Sequence, residues 1–441
     1  MPSRHADLFN RRKTIVFTFI RCFARRRAAL AVLLAGLSPA GHALTFDGAL
    51  RLAETHAPQL KASEESLAAA RSLQIPAGAL PDPRLVLGVD NLPIEGTDRY
   101  SLTRDAMTMQ RIGLMQEFPN AAKREARVAA AQGQVALSEA EARIARLTVL
   151  RETAVAWIAR HSVERQLARI DALTAENRLL ASAVRAELAG GQGSPADIVA
   201  PRQEAALIDE RRDALRAQQA QAIAALRRWI GAAADAPLEG GAPAWPLQRD
   251  TLEHRLHHHP ELLAFDSRAR VLDAGVAEAQ AAKRPDWALE MDYQHRARQY
   301  GDMVSLQVSF DLPVFSGTRQ NPKIAAARAE RARLDAEREA TLREHAAMLA
   351  SDFADYQRLT AAVERQREIL LPLAQEKVDL AMAAWRGGKG RLTELVAARR
   401  ERIDAELKAI ALEGEQQQTA TRLHYAYGDG DGADPHTGEH P

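Results

Sequence analysis

The sequence predicts a mostly α-helical fold with a small β part, built twice along one chain from duplicated long helical hairpins plus two β-hairpins. Three observations carry this: segments that recur in the same order in both halves, apolar residues spaced by seven over long proline-free stretches, and strand pairs of alternating polarity.

The repetition decides the architecture, because a duplicated chain is built from one supersecondary unit used twice. His56 to Ala62, followed by Pro81-Asp82, recurs as His258 to Ala264, followed by Pro285-Asp286. Ile112 to Pro119 matches Leu306 to Pro313, and Gly190 to Val199 matches Gly387 to Val396. A first repeat over 44–230 and a second over 251–427 follow, each reading helix, two strands, long helix, sharp turn, helix. The stretch 231–250, rich in Gly, Ala and Pro, is the linker between them.

In the first repeat, Val128, Val135, Ala142, Val149, Ala156, Val163, Ile170, Asn177 and Val184 recur every seven residues with no proline from Ala121 to Gly190. Such a seam belongs to helices packed side by side, and a helix of this length is a rod of ~100 Å. The second repeat has its equivalent over 322–386, with Leu342, Leu349, Tyr356, Val363 and Leu370 on the seam and a bend expected at Pro372. Ser194-Pro195 is a helix start, a capping residue followed by proline at the first helical position.

Within 286–296, Trp287, Leu289, Met291 and Tyr293 alternate with polar or small residues; within 304–312, Val304, Leu306, Val308, Phe310 and Leu312 do the same. One oily and one polar face over nine to eleven residues suits a strand between lipid and water. A half-buried strand in a soluble sandwich has the same alternation. Two facts favour lipid: one hairpin per repeat is not stable alone in water, and four strands cannot close a barrel around side chains. The copies must therefore pool their strands.

The N-terminus is set apart from this pattern. Basic residues from Arg11 to Arg27 precede an apolar run, Ala28 to Leu37, and a small-residue site at Gly41-His42-Ala43, so residues 1–43 read as a signal peptide. The leader holds eight Lys/Arg and one acid; the remainder has 51 basic and 57 acidic residues, a net charge of −6. Interleaved acidic charge excludes a nucleic-acid partner. Cys22, the only cysteine, leaves with the leader, so disulfides and thiolate metal sites are excluded. The tail 428–441 reads as disordered.

Taken together, the Pro-bounded strands ending Glu117-Phe118-Pro119 and Asp311-Leu312-Pro313, and the paired glycine turns, resemble the TolC-type outer-membrane efflux factors over essentially the whole mature chain. Met107-Thr108-Met109 with Gly113 to Pro119 is most similar to the channels of heavy-metal resistance-nodulation-division pumps. The resemblance implies a homotrimer with an α-helical periplasmic tunnel and a shared 12-stranded outer-membrane β-barrel, embedded in outer-membrane lipid. It implies a periplasmic adaptor and an inner-membrane pump as partners. Carried over by position, Glu394 and Asp197 fall at a periplasmic gate, and Gly191, Gly193, Gly388 and Gly390 at the hairpin tips where an adaptor docks. Ala397 stands where many relatives have a second acid, and Glu204, further along the first-repeat helix, is assigned no part in the constriction.

Other features are read plainly. His254, His257, His258 and His259 sit at a helix entry and are taken as structural, so no metal site is expected. Met107, Met109 and Met115 share a strand face and suit soft cations, but also simply fill an irregular surface. Asp197 and Glu394 equally suit helix caps. Gly387-Gly388-Lys389-Gly390 lacks the spacing of a phosphate loop, and no hydrolase or metalloprotease motif occurs, so no catalysis and no cofactor are expected. The function expected is a passive exit duct of a tripartite efflux system, for heavy-metal cations. The rival is a periplasmic coiled-coil scaffold or adaptor; the rival clients are drugs or secreted protein.

Overall fold

The computed structural model describes residues 43–191 and 194–428. The expected leader and tail, apart from Ala43 and Gly428, lie outside the described residues, and so does Gly193. Among the described residues no helix is long and apolar enough to cross a membrane.

The chain opens with α1 (Phe46–His56), whose first turn is capped by Thr45: its hydroxyl accepts the Gly48 N–H at 3.1 Å. Pro58 starts α2 (Pro58–Gln74). Strands β1 (Arg84–Asp90) and β2 (Met109–Phe118) form the first hairpin. Asn120 caps α3 (Ala121–Ala189), accepting the Lys123 N–H at 3.0 Å. Its 69 residues at 1.5 Å rise make the rod of ~100 Å. A 3₁₀ turn, Pro195–Ile198, leads into α4 (Val199–Ile230). The second repeat runs α5 (Arg249–Arg255), α6 (Pro260–Ala281), β3 (Trp287–His295), β4 (Met303–Phe310), α7 (Gln320–Arg365), α8 (Leu371–Arg386) and α9 (Leu392–Tyr427).

The two hairpins join through β2 and β3 into one antiparallel sheet of order β1-β2-β3-β4. The alternation expected for β3 and β4 holds, while β2 places Gln110 and Gln116 on the oily face and Met109 and Met115 on the polar one. Leu85, Leu87 and Val89 register with Leu114, Ile112 and Gln110; Phe118 with Trp287; Met291 with Leu306; Tyr293 with Val304. All of these lie on one face, and in the single chain that face is bare: Val304 is 70% exposed, Leu306 69% and Phe310 62%.

The sheet is tied to the rods at one acid. Asp286, just ahead of β3, accepts the Asn120 backbone N–H and side-chain amide, both at 2.8 Å, and its other oxygen meets Lys123 Nζ at 2.5 Å. Below this joint the helices pack on separate cores. Near the chain's N-terminus, Phe46, Ala49 and Ala53 meet Trp157, Ile158, Leu226, Trp229 and Ile230. Residues 231–250 lie on this core rather than hanging free. Arg160 donates to the Ala234 and Ala236 carbonyls at 2.5 and 2.9 Å, and Leu44 bridges Leu238. At the far end, Leu180 and Val184 pack with Val378, Leu392, Leu395 and Ala398, so the two hairpin tips share one core.

The first seam is buried or half-buried along its whole length, with Val149, Ala156, Ile170, Asn177 and Val184 fully inside. In the second, Leu349 and Val363 are buried, but Leu370 is 42% exposed, against expectation. The reason is a π-helical turn, Gln366–Leu370, which inserts one residue ahead of Pro372. Proline has no N–H for the helical ladder, and the wider turn absorbs the break. The seam resumes one place later, at Leu371 and buried Val378, and Gln366 turns inward to donate to the Ala405 carbonyl at 3.0 Å.

Trp157 is fully buried, edge-on to Phe46, and its indole N–H donates to the Leu44 carbonyl at 3.2 Å. Trp157→Ala is expected to cost about 3–5 kcal/mol per chain, seen as a lower midpoint in thermal unfolding followed by circular dichroism.

Candidate functional site

The two tips are entered in the same way. Gly190 and Gly387 close their helices, donating to the Ala186 and Ala383 carbonyls, both at 3.0 Å. Gly191 (φ +76°) and Gly388 (φ +68°) then take the left-handed region, which costs a residue with a Cβ about 1 kcal/mol or more. Gly390 is required for a different reason: a Cβ there would sit 2.8 Å from the Ala384 methyl and 3.1 Å from Trp385 N. Gly193 lies outside the described residues.

Past the tips, Asp197 and Glu394 both occupy the third position of a first turn. Asp197 accepts the Ser194 N–H at 2.8 Å while Ser194 Oγ accepts the Ala196 N–H at 3.3 Å, a reciprocal cap. Glu394 is exposed and holds the Arg391 N–H only at 3.5 Å. Both carboxylates complete a capping box, Asp197 at the shorter distance, and Glu394 stays exposed.

Between the hairpins, above the tips, runs a ladder of ion pairs from α3 and the π-helical turn to α9: Arg169 to Glu406 (2.5 and 2.8 Å), Arg165 and Arg367 to Glu413 (2.9 and 2.7 Å), and Arg402 to Glu176. The two flanking guanidiniums hold the Glu413 carboxyl below its usual range against the effect of burial. Glu204 on α4 belongs to this ladder, and sequence reasoning missed it. It is 5% exposed, its nearest cation is Arg399 at 3.8 Å, and neither of its oxygens has a hydrogen-bond partner. Burial pushes its carboxyl above the ordinary value, opposed by Arg399 and Arg402. The only sequence signal was heptad position, which does not separate a solvated acid from one facing the other hairpin. A cleft of about 420 Å³ between α4 and α9, lined by Glu204, Arg211, Thr393 and Asp404 among others, opens beside it.

The polar face of the sheet carries a second cluster. Arg111 lies among Asp90 (3.6 Å), Glu290 (3.6 Å) and Asp292 (3.9 Å), and Asp292 is only 3% exposed. Gly113 makes room for it, since a Cβ there would fall 1.9 Å from Asp292 Oδ1. Arg84 meets Glu117 on the same face at 3.1 Å. Met109 and Met115 share this polar face, as parity requires; Met107 lies outside β2 and is 60% exposed, so the expected three-methionine stripe is a pair.

The comparisons bear on this geometry. Residues 251–429 match the family described as outer membrane efflux protein. That match spans the second repeat and no more of the chain. Members of that family are outer-membrane transport conduits, not enzymes. Among solved structures, a membrane protein from Pseudomonas aeruginosa is similar at 19% identity and a TM-score of 0.74, covering 87% of this chain and 90% of its own. The outer membrane protein VceC from Vibrio cholerae matches at 20% identity and a TM-score of 0.71, covering 87% and 96%. CusC, described for conformational changes accompanying folding and transmembrane channel formation, matches at 15% and 0.74, covering 87% and 92%. At these identities the likeness is one of fold: the described chain has the fold of the TolC-type channels. Comparison with curated protein sequences returned no match.

Because the folded state raises the Glu204 pKa above its unfolded value, its contribution to stability is present in acid and is lost as pH rises through the folded pKa. Glu204→Gln removes that loss. The melting midpoint of the variant minus that of wild type is expected to grow with pH above about 4.5 and then level off. A difference independent of pH would remove Glu204 as a buried ionising group.

Proposed function

We propose that this chain is an outer membrane efflux protein, the exit duct of a tripartite pump, working as a homotrimer whose copies pool their strands into a 12-stranded barrel. The observation that carries the reading is the open sheet. Four strands leave β1 and β4 as edges, and one face presents bare aliphatic or aromatic side chains on every strand, Leu85 and Leu87, Ile112 and Leu114, Met291 and Tyr293, and Leu306 and Phe310 among them. In a bilayer an unpaired edge is untenable, and closure with copies of the same sheet removes both edges at once. A periplasmic scaffold, the rival reading, has no use for such a face.

We infer further that the clients are heavy-metal cations. The polar face of the sheet carries Arg84 and Arg111 against Asp90, Glu117, Glu290 and Asp292, a net of −2 per chain, with the thioethers of Met109 and Met115 between them. A negative lumen favours cations, and thioethers favour soft ones. Glu394, exposed beside the tip core, is the acid assigned to the periplasmic gate; Asp197 serves beside it chiefly as a cap. The glycine turns at Gly191 and Gly388, together with Gly193 and Gly390, are the surface offered to an adaptor, through which an inner-membrane pump would load the duct.

Leu306→Arg places a cation on the oily face and is expected to cost about 2–4 kcal/mol per chain if that position lies near the bilayer midplane, whereas Ser305→Arg faces water. Native mass and outer-membrane fractionation should show the trimer lost in the first and kept in the second. A wild-type protein that is monomeric with its sheet intact would sink the proposal. For the gate, Glu394→Gln in planar bilayers is expected to weaken cation preference and divalent block; unchanged conductance would return Glu394 to an ordinary helix-start residue.

A further inference from the structure

We infer that His259, Glu261 and His345 form a binding site for a divalent transition metal of the zinc type, far from the tips and independent of what the duct carries. Three helices meet there: His259 caps α6, Glu261 lies in its first turn, and His345 comes from the middle of α7, with Tyr427 at the end of α9 behind it. One ligand atom from each of the first three falls within 4.8 Å of the others. His345 Nε2 stands 2.9 Å from Glu261 Oε2, and the two imidazole rings are 3.9 Å apart between centroids. Bonds of about 2.0–2.2 Å to a tetrahedral ion place ligand atoms roughly 3.3 Å apart, so small side-chain adjustments suffice.

The surroundings of the buried ring fit the same role. His345 is 6% exposed, and its remote Nδ1 lies 3.4 Å from the Tyr427 hydroxyl, which is itself held by the His345 carbonyl at 3.2 Å. A partner on the remote ring nitrogen is what orients a metal-bound histidine. The donor set of two imidazoles and one carboxylate, with no sulfur, selects Zn²⁺, Cu²⁺ or Ni²⁺ over soft monovalent ions. Arg151 opposes a cation here, while Asp352 adds to the field of Glu261. Glu261 is half-exposed and lines a cleft of about 430 Å³, which gives an ion a way in.

The test uses detergent-purified protein stripped with a chelator and titrated with Zn²⁺ against a chromogenic zinc indicator at pH 7.5. One Zn²⁺ per chain is expected, with affinity falling at least tenfold in His345→Gln and in His259→Gln. It should stay unchanged in the double variant His254→Gln/His258→Gln, whose side chains are exposed. X-ray absorption of the bound zinc should report two imidazoles. Should His345→Gln fail to fold, Glu261→Gln at its half-exposed position carries the same expectation. Absence of uptake by wild type would leave a plain His345–Glu261 hydrogen bond and overturn the site. So would uptake that survives loss of His259 and His345 together, or that falls with His254 and His258.

Discussion

The structure depends on one constraint: a sheet of four strands with an oily face and two open edges cannot be satisfied by the chain that makes it. Every backbone group on an edge must find a partner or water, and lipid offers neither. The pairing of β2 with β3 answers half of the problem by fusing the two repeats, and it does so at a site of fine tolerance. Gly113 gives up its side chain so that Asp292 can lie over it beside Arg111. The outer edges, on β1 and β4, are the part that the proposed pooling of strands addresses. Duplication makes this economical, since the same hairpin serves at each position and the joint at Asp286, Asn120 and Lys123 sets the sheet on the rods.

Below the sheet the rods divide their interactions by place. Apolar cores hold the base and the tips, where Trp157 and Leu395 are fully buried. Part of the stretch between them is held by arginine–carboxylate pairs from α3 and the π-helical turn to α9. Half-exposed pairs of this kind add little stability each, but they demand a particular register, and bidentate Arg169–Glu406 specifies it more tightly than an apolar contact could.

Much of this was legible in the sequence. The duplication, both strand pairs and their parity, the long rods and the glycine turns all follow from spacing, because each depends on residues near one another in the chain. What was not legible depends on distance along the chain. Leu370 fits a heptad on paper and leaves it because Pro372 forces an extra residue into the turn. His345 carries no motif and gains meaning only when α7 brings it to His259, across 86 positions of sequence. Glu204 reads as one more polar heptad residue until α9 places Arg399 opposite it. Asp197 shows the converse: its pattern suited gate and cap alike, and its hydrogen bonds put it in the cap.

Glu394 and Glu204 mark a division between an exposed and a buried charge. An exposed carboxylate such as Glu394 is hydrated and screened, so it contributes little to holding the tips together. Glu204 is the reverse. Buried opposite Arg399 at 3.8 Å, with both oxygens and two guanidinium nitrogens unsatisfied, it has lost its water without gaining a full set of bonds. Desolvation of that kind exceeds the Coulombic return. Any motion that parts α4 from α9 readmits water to both groups and recovers part of the loss. The apolar cluster of Ile208, Leu215 and Ile403, which joins α4 to α9, opposes the same motion. The packing here therefore rests on apolar burial set against an unfavourable charge, whereas at the base the buried Arg160 is fully hydrogen-bonded and acts with the aromatic core.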